Sequence, residues 1–547
     1  MSKTQGNIQG LKPSELKRLN RLSSRRYPLR EACTPEQARE LAQISHDTGR
    51  QIALLIDRQG RVSMVLVGDP EAIYIPELPR SRLGSGRLRG LRLLHTHLGS
   101  EKLSEEDLMD MVFLRLDNVV ALGVDADGFP GRIQAAHLLP PNPEKRSHEV
   151  LSSEPVDRQS LDLHAMVEAL EEELGREQSA VELEKGDKAL LVSVSTDSRL
   201  VQERSLEELA DLARTAGLVP ADSMVQRVRE ANPRTIMGKG KLAELEVRAL
   251  QAGARLVLFD QDLSPAQMRN LAELTERRVL DRTQLILDIF AQRATSKAGK
   301  LQVEMAQLKY MLPRLAGSGK AMSRLMGGIG GRGPGETKLE VDRRRARERI
   351  TRLKKELESV RRHRSQTRER RAKSGVPVVS LVGYTNAGKS TLLNTLTNAA
   401  VLAEDKLFAT LDPTTRRIRF PRDQEVILTD TVGFIRRLPA DLREAFRATL
   451  EELESADVLV LVADASHPEV EEQVAAVMRI LEEMELVELP RVLALNKWDR
   501  LDAEQQEMMR NVFPTGVPMS ALDKGSLEPL VRAIMGLLPG EGSLPLG

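Results

Sequence analysis

Short apolar runs, each closed by a glycine or a polar turn, alternate along much of this chain with stretches whose apolar positions recur every three or four residues. The runs predict buried strands and the stepped stretches predict helices. Gln51-Ile52-Ala53-Leu54-Leu55-Ile56-Asp57 and Val62-Ser63-Met64-Val65-Leu66-Val67-Gly68 flank Asp57-Arg58-Gln59-Gly60, a hairpin signal. From Ala189-Leu190-Leu191-Val192-Ser193-Val194 onward, strand and helix alternate, and Arg255-Leu256-Val257-Leu258-Phe259-Asp260 predicts a further strand. Ser205-Leu206-Glu207-Glu208 reads as a capping box and Ser264-Pro265 as a cap followed by proline at the first helical position. Such alternation predicts a small α/β domain with a parallel sheet.

Two helical stretches come next. Leu301 to Leu308, then Ile350, Leu353, Leu357 and Val360, carry the spacing of a helix-pair seam. Between them lies the glycine-rich segment Gly327 to Gly335, expected as an outward tip. From Glu336 to Lys373 sixteen Lys or Arg stand against seven Asp or Glu, a local excess of nine. A helix over Asp342 to Arg371 would be about 45 Å long at 1.5 Å per residue, a basic rod able to reach a polyanion, with Arg332, Arg343, Arg344, Arg347 and Lys354 as candidate RNA contacts. The competing reading is a solvated coiled-coil face, although such faces mix signs more evenly.

Chemistry concentrates in the last third. The strand Val378-Val379-Ser380-Leu381-Val382 runs into Gly383-Tyr384-Thr385-Asn386-Ala387-Gly388-Lys389-Ser390 and then a helical pattern. In that context the spacing is a phosphate-binding loop: backbone N–H groups converge on an anion and the helix adds its positive end. Lys389 is expected to reach the β- and γ-phosphates and Ser390 to ligate Mg²⁺. Val426-Ile427-Leu428-Thr429-Asp430 predicts a second buried strand ending in Asp430-Thr431-Val432-Gly433, with Asp430 behind the Mg²⁺ and Gly433 as the γ-phosphate sensor. A third strand, Val492 to Leu495, ends in Asn496-Lys497-Trp498-Asp499, where a carboxylate accepts two N–H bonds from guanine and repels adenine. Ser520-Ala521-Leu522 is placed to back the base. Four motifs in order at strand ends predict a GTPase that binds GTP and GDP. Among Phe408-Ala409-Thr410-Leu411-Asp412, Thr410 is the candidate switch ligand to Mg²⁺, on resemblance to the switches of Ras- and Obg-type GTPases, while Thr414 and Thr415 suit a turn after Pro413.

Phe434 stands where Ras-like proteins place a water-orienting glutamine, so slow intrinsic hydrolysis is expected. Asn386 sits where potassium-activated GTPases carry asparagine, making K⁺ a candidate cofactor; a satisfied turn residue is the alternative.

At 547 residues there is room for roughly three to four domains. The expected division is 1–150, an N-terminal α+β extension; 151–187, a linker; 188–297, the small parallel α/β domain; 298–374, the two-helix basic coiled-coil hairpin; and 375–547, the P-loop GTPase domain. The overall fold class is multidomain α/β. The formal net charge is only +1, so the basic rod is a local asymmetry. A single cysteine, Cys33, excludes an internal disulfide framework and suits a reducing compartment. The start lacks an apolar signal core and no run approaches the ~20 residues of a membrane helix, so a cytoplasmic, membrane-free and monomeric protein is expected. Aromatics at 3% argue against base-stacking platforms.

Several segments carry a family resemblance. Val257-Leu258-Phe259-Asp260 with Leu263-Ser264-Pro265-Ala266-Gln267, Asp281-Arg282-Thr283-Gln284-Leu285-Ile286-Leu287-Asp288-Ile289-Phe290, Gly328 through Thr337, and Phe408 to Asp412 resemble the HflX family of GTPases over roughly 188–540. The resemblance implies a ribosome-associated GTPase that binds the large (50S) subunit and its 23S rRNA and splits stalled or idle 70S particles. A GTP-gated regulatory scaffold acting on a protein partner is the alternative. Outside that region, Leu94-His95-Thr96-His97 with Ser104 and Asp107 is similar to the metal motif of JAMM-type metalloproteases, in which two histidines and an aspartate hold zinc. Leu98 replaces the usual proline, the spacing from His97 to Ser104 is one residue short, and Gln51 stands near the expected glutamate. The expectation is therefore a degenerate JAMM-like fold used for binding, in which His95, His97 and Asp107 are the candidate metal ligands but hold less than a full equivalent of zinc; a His pair at a strand end without metal is the alternative.

Overall fold

The computed structural model describes residues 4–76, 78, 88–140, 142–144, 146–160, 162–183, 186–275, 277–314, 338–372, 376–397, 408, 414–419, 425–430, 433–434 and 453–538. The chain divides into two compact units, 1–206 with 217–280, and 207–216 with 281–547.

The first unit holds two sheets. Thr4–Gly6, Val62–Val67, Ile52–Asp57, Leu91–Leu98, Asn118–Val124, Pro130–Leu138 and His148–Val150 lie side by side in that order, and Glu154–Pro155 pairs with Pro130–Leu138. The hairpin forms as its turn predicts, with Ile52 opposite Val67 and Leu54 opposite Val65. Leu91–Leu98 and Asn118–Val124 run parallel, His95 opposite Ala121. Apolar side chains leave both faces of the central strands, so each face builds its own core, one around Leu54 and Val120, the other around Leu55 and Val119.

The expected linker is instead part of this sheet's packing. His148–Val150 and Glu154–Pro155 extend it, and in the helix Leu163–Leu183 the residues Val167, Leu170 and Leu174 enter its core. The helix is tied down on its polar side too, where Glu171 receives both terminal nitrogens of Arg58 at 2.8 Å. Polar composition on one face had hidden an apolar stripe on the other.

The second sheet has the order Val219–Arg227, Lys188–Ser195, Leu256–Phe259, Arg278–Asp281, with the first three strands mutually parallel. Ser264 caps the helix Pro265–Leu274 as its sequence predicts, accepting from the Gln267 N–H. Ser205 does not cap. It lies inside the helix Arg199–Thr215, where its hydroxyl donates to the Asp260 carboxylate at 2.7 Å, a buried partner that local spacing could not reveal.

In the second unit, Lys297–Arg314 and Lys338–Ala372 pair along Leu301, Met305, Leu308, Ile350, Leu353, Leu357 and Val360. Arg349 clamps Glu304 with two bonds of 2.7 and 2.8 Å across that seam. The third sheet has the order Thr414–Arg419, Glu425–Asp430, Val378–Gly383, Val458–Asp464, Arg491–Asn496, Val517–Pro518 and is parallel except at its first pair. Its strands are nearly all apolar because helices cover both faces, and they deliver every motif to one end.

Candidate functional site at the third sheet

The strand Val378–Gly383 delivers the chain into the loop, and the helix Lys389–Thr397 leaves it. Gly388 takes φ +95°, and a Cβ there would meet the Asn496 amide nitrogen at 2.1 Å, so this position requires glycine. Asn386 holds φ +60° on the exposed outer side of the loop. The loop is fastened to the residue after Gly433: Thr385 N–H donates to Phe434 C=O at 2.8 Å and Phe434 N–H to Gly383 C=O at 3.1 Å. Gly433 is thereby brought so close that a Cβ would lie 2.8 Å from the Thr385 Cα and 3.1 Å from the Lys389 Nζ.

Lys389 is buried, with Nζ donating to the carbonyls of Gly383 at 3.1 Å and Tyr384 at 2.8 Å. Burial pushes this ammonium down to about 8, against a smaller opposing pull from Asp430. The Ser390 hydroxyl donates to the Asp430 carboxylate at 2.8 Å. An amine, a hydroxyl and a carboxylate thus converge at the start of the helix Lys389–Thr397, a set suited to a polyphosphate and a hard cation.

At the opposite end Asn496 is the joint. Its amide donates to Ala387 C=O at 2.7 Å, and its carbonyl accepts from Ala521 N–H at 2.8 Å. Lys497 takes φ +60° and its Nζ lies 2.7 Å from Asp464, while Asp499 is exposed. Ser520 and Ala521 are buried; Leu522 is 80% exposed. Sequence reasoning passed over Asp464, although an apolar run closing on an acid, Val458 to Asp464, was the signal. It also missed Glu208, which accepts from the Tyr384 hydroxyl at 2.8 Å and pairs with Arg282 at 2.8 Å. No periodicity links residues so far apart in the chain.

Phe408 is buried and meets Phe290 edge-on, ring centroids 4.6 Å apart. Ala409, Thr410, Leu411, Asp412, Thr431, Val432 and the tip residue Arg332 lie outside the described residues. Arg344, Arg347 and Lys354 are exposed on the helix Lys338–Ala372, with Arg343 half-buried. In the first unit, His95 and His97, near the end of the central strand Leu91–Leu98, come together with Asp107 of the helix Glu105–Leu114. Among the described residues no helix is long and apolar enough to cross a membrane.

Fold and loop together define a P-loop GTPase. Family models match over three consecutive stretches: a GTP-binding GTPase N-terminal region over 203–291, a GTP-binding GTPase middle region over 293–371, and a 50S ribosome-binding GTPase over 378–497. GTPase HflX of Caldanaerobacter subterraneus subsp. tengcongensis is 48% identical over 348 residues, covering 64% of this chain and 80% of the relative. GTPase HflX of Escherichia coli K12 is 46% identical over 361 residues, covering 65% and 84%. A GTP-binding protein from Sulfolobus solfataricus, solved with GDP, is 27% identical and covers 64% of this chain and 98% of its own, at a TM-score of 0.35. The chain belongs to the HflX family of GTPases and is a GTP-hydrolysing enzyme.

Proposed function

We propose that this GTPase is a nucleotide-switched ribosome factor that binds the large subunit through its 23S rRNA and splits stalled or idle 70S particles. The observation that carries the reading is the joining, within one compact unit, of the nucleotide site to the basic helix Lys338–Ala372. The model over 378–497, described as a 50S ribosome-binding GTPase, supports the same partner. A scaffold acting on a protein would not require cations such as Arg344, Arg347 and Lys354 spaced along an exposed helix, whereas a phosphate backbone does.

Within the site, the phosphate loop Gly383 to Ser390 cradles the β- and γ-phosphates, Lys389 shifting from the loop carbonyls to phosphate oxygens. Ser390 and Thr410 would ligate Mg²⁺ and Asp430 would hold its outer shell; the hydroxyl and carboxylate of Ser390 and Asp430 fit such an oxygen-seeking ion. Bound there, Mg²⁺ neutralises charge developing on the phosphates. Gly433 presents its N–H to the γ-phosphate, Asp499 reads the guanine edge, and Ser520 to Leu522 back the base. Asn386, exposed and left-handed, offers its side chain to K⁺. Domains divide at 188, 298 and 375, with the tip Gly327 to Gly335 working inside the ribosome and not on the nucleotide.

Sedimentation with 70S ribosomes and with 50S subunits, in a non-hydrolysable GTP analogue, GDP or no nucleotide, tests the reading when combined with subunit dissociation by light scattering. GTP-dependent co-sedimentation and splitting are expected. Equal, weak binding in all three states would leave the scaffold as the better account. Lys389→Ala and Ser390→Ala control for the site, since either should abolish the nucleotide dependence.

A further inference from the structure

We propose that His95, His97 and Asp107 form a binding site for one divalent transition-metal ion of the zinc class, contrary to what the departures from the motif suggest. The His95 and His97 Nε2 atoms lie 2.9 Å apart, and the Asp107 carboxylate oxygens lie 3.1 Å from the first and 3.3 Å from the second. Ligands about 2.0 Å from a tetrahedral zinc are separated by about 3.3 Å, so these three groups need only small shifts to share one ion.

Proton bookkeeping points the same way. The His97 Nδ1 lies 3.0 Å from the Lys102 carbonyl, which can only accept, so Nδ1 carries a proton and a ring without a second one presents its Nε2 lone pair inward, as a metal ligand must. That lone pair faces the carboxylate at 3.3 Å and the His95 Nε2 at 2.9 Å, so three groups that can each give an electron pair point at one place. One cation there can be held by all three. His95 is fully buried, and among the described residues its Nδ1 finds no hydrogen-bond partner. Either tautomer therefore leaves that nitrogen unsatisfied, and the bond from Nε2 to a metal has to outweigh the cost of an unpaired Nδ1–H.

The features that argued against a site from sequence lose their force in three dimensions. Leu98 merely ends the strand Leu91–Leu98. The shortened spacing is absorbed because Ser104 caps the helix Glu105–Leu114, and Asp107 lies in its first turn. The Ser104 hydroxyl also donates to Asp107 Oδ2 at 2.7 Å, orienting the carboxylate. Gln51 is buried with its amide donating to Pro70 C=O, so no general base is aimed at this place by that residue. The His97 and Asp107 side chains retain 12% and 14% exposure, leaving the fourth position to solvent. The ion would pin that helix to the sheet, and Met111 and Val112 of the same helix fill the sheet's core.

Full-length protein stripped with chelator and dialysed against zinc should take up one equivalent by elemental analysis. Cobalt in its place should give the visible absorption of a tetrahedral centre, and the melting temperature should rise with metal. His97→Ala, at a partly exposed position, should lower affinity by more than the ~100-fold ceiling typical of outer-sphere changes, and Ser104→Ala by ~10–100-fold with stoichiometry unchanged. Asp107→Asn provides a second probe should His97→Ala misfold. Protein that stays metal-free in excess zinc, or binding untouched by both ligand variants, would overturn the proposal and leave a hydrogen-bonded cluster only.

Discussion

Replacing Asn496 tests whether the two ends of the nucleotide site are held by one buried amide. Its two bonds, 2.7 Å to Ala387 C=O and 2.8 Å from Ala521 N–H, have both ends buried. Asn496→Ala strands a carbonyl and an N–H, each costing about 1–3 kcal/mol when left unsatisfied. Water entering the space left by the side chain would offset part of this, so a total of about 3 kcal/mol is the working figure. If the bound state bears most of it, GDP and GTP affinities should fall together by roughly 100-fold, at 1.4 kcal/mol per decade. Asn496→Asp should be no better, because a carboxylate oxygen then faces the Ala387 carbonyl at the same short distance. Titration of a fluorescent GDP analogue measures the first effect, and thermal unfolding of nucleotide-free protein measures how much of the cost falls on the fold. GDP affinity within about threefold of wild type, with an unchanged melting temperature, would refute the reasoning.

Asp499→Asn should turn preference from GTP toward xanthosine nucleotides, because one of two acceptors becomes a donor; unchanged competition between the two nucleotides would remove Asp499 as the base reader. In the free protein Lys389 titrates near 8, and bound phosphate would raise that value, so the complex holds more protons and nucleotide affinity should fall as pH rises past 8. Flat affinity between pH 7 and 9 by calorimetry would contradict this. Hydrolysis should be faster in potassium than in sodium and the difference lost in Asn386→Ala; equal wild-type rates in the two salts dismiss K⁺. Reversing charge at Arg343, Arg344, Arg347 and Lys354 should weaken ribosome binding and flatten its salt dependence, with basal GTP hydrolysis retained. Deleting the tip Gly327 to Gly335 should spare binding far more than splitting, and a deletion that splits normally would reduce the tip to a connector.

What could be read in advance was what repeats locally. The hairpin at Asp57 to Gly60, the Ser264 cap, the seam through Leu353 and Leu357, and the order of motifs along the third sheet all follow from short-range spacing. What escaped depends on partners distant in sequence. Ser205 looked like a cap until Asp260 stood opposite it, and 151–187 looked like a linker until Arg58 met Glu171. The motif at His95 looked degenerate on three departures, one of them a spacing one residue short, yet the helix Glu105–Leu114 still brings Asp107 to both histidines.

The bond between the Tyr384 hydroxyl and Glu208 joins residues 176 positions apart, and it bears on how the chain is made. The latter part of the helix Arg199–Thr215 groups with the unit that contains residues 281–547, not with the strands on either side of it. During synthesis at about 5–20 residues per second, Glu208 therefore precedes Tyr384 by roughly 9–35 s. For that interval the Glu208 carboxylate has no phenol to accept from, because Tyr384 has not yet been translated.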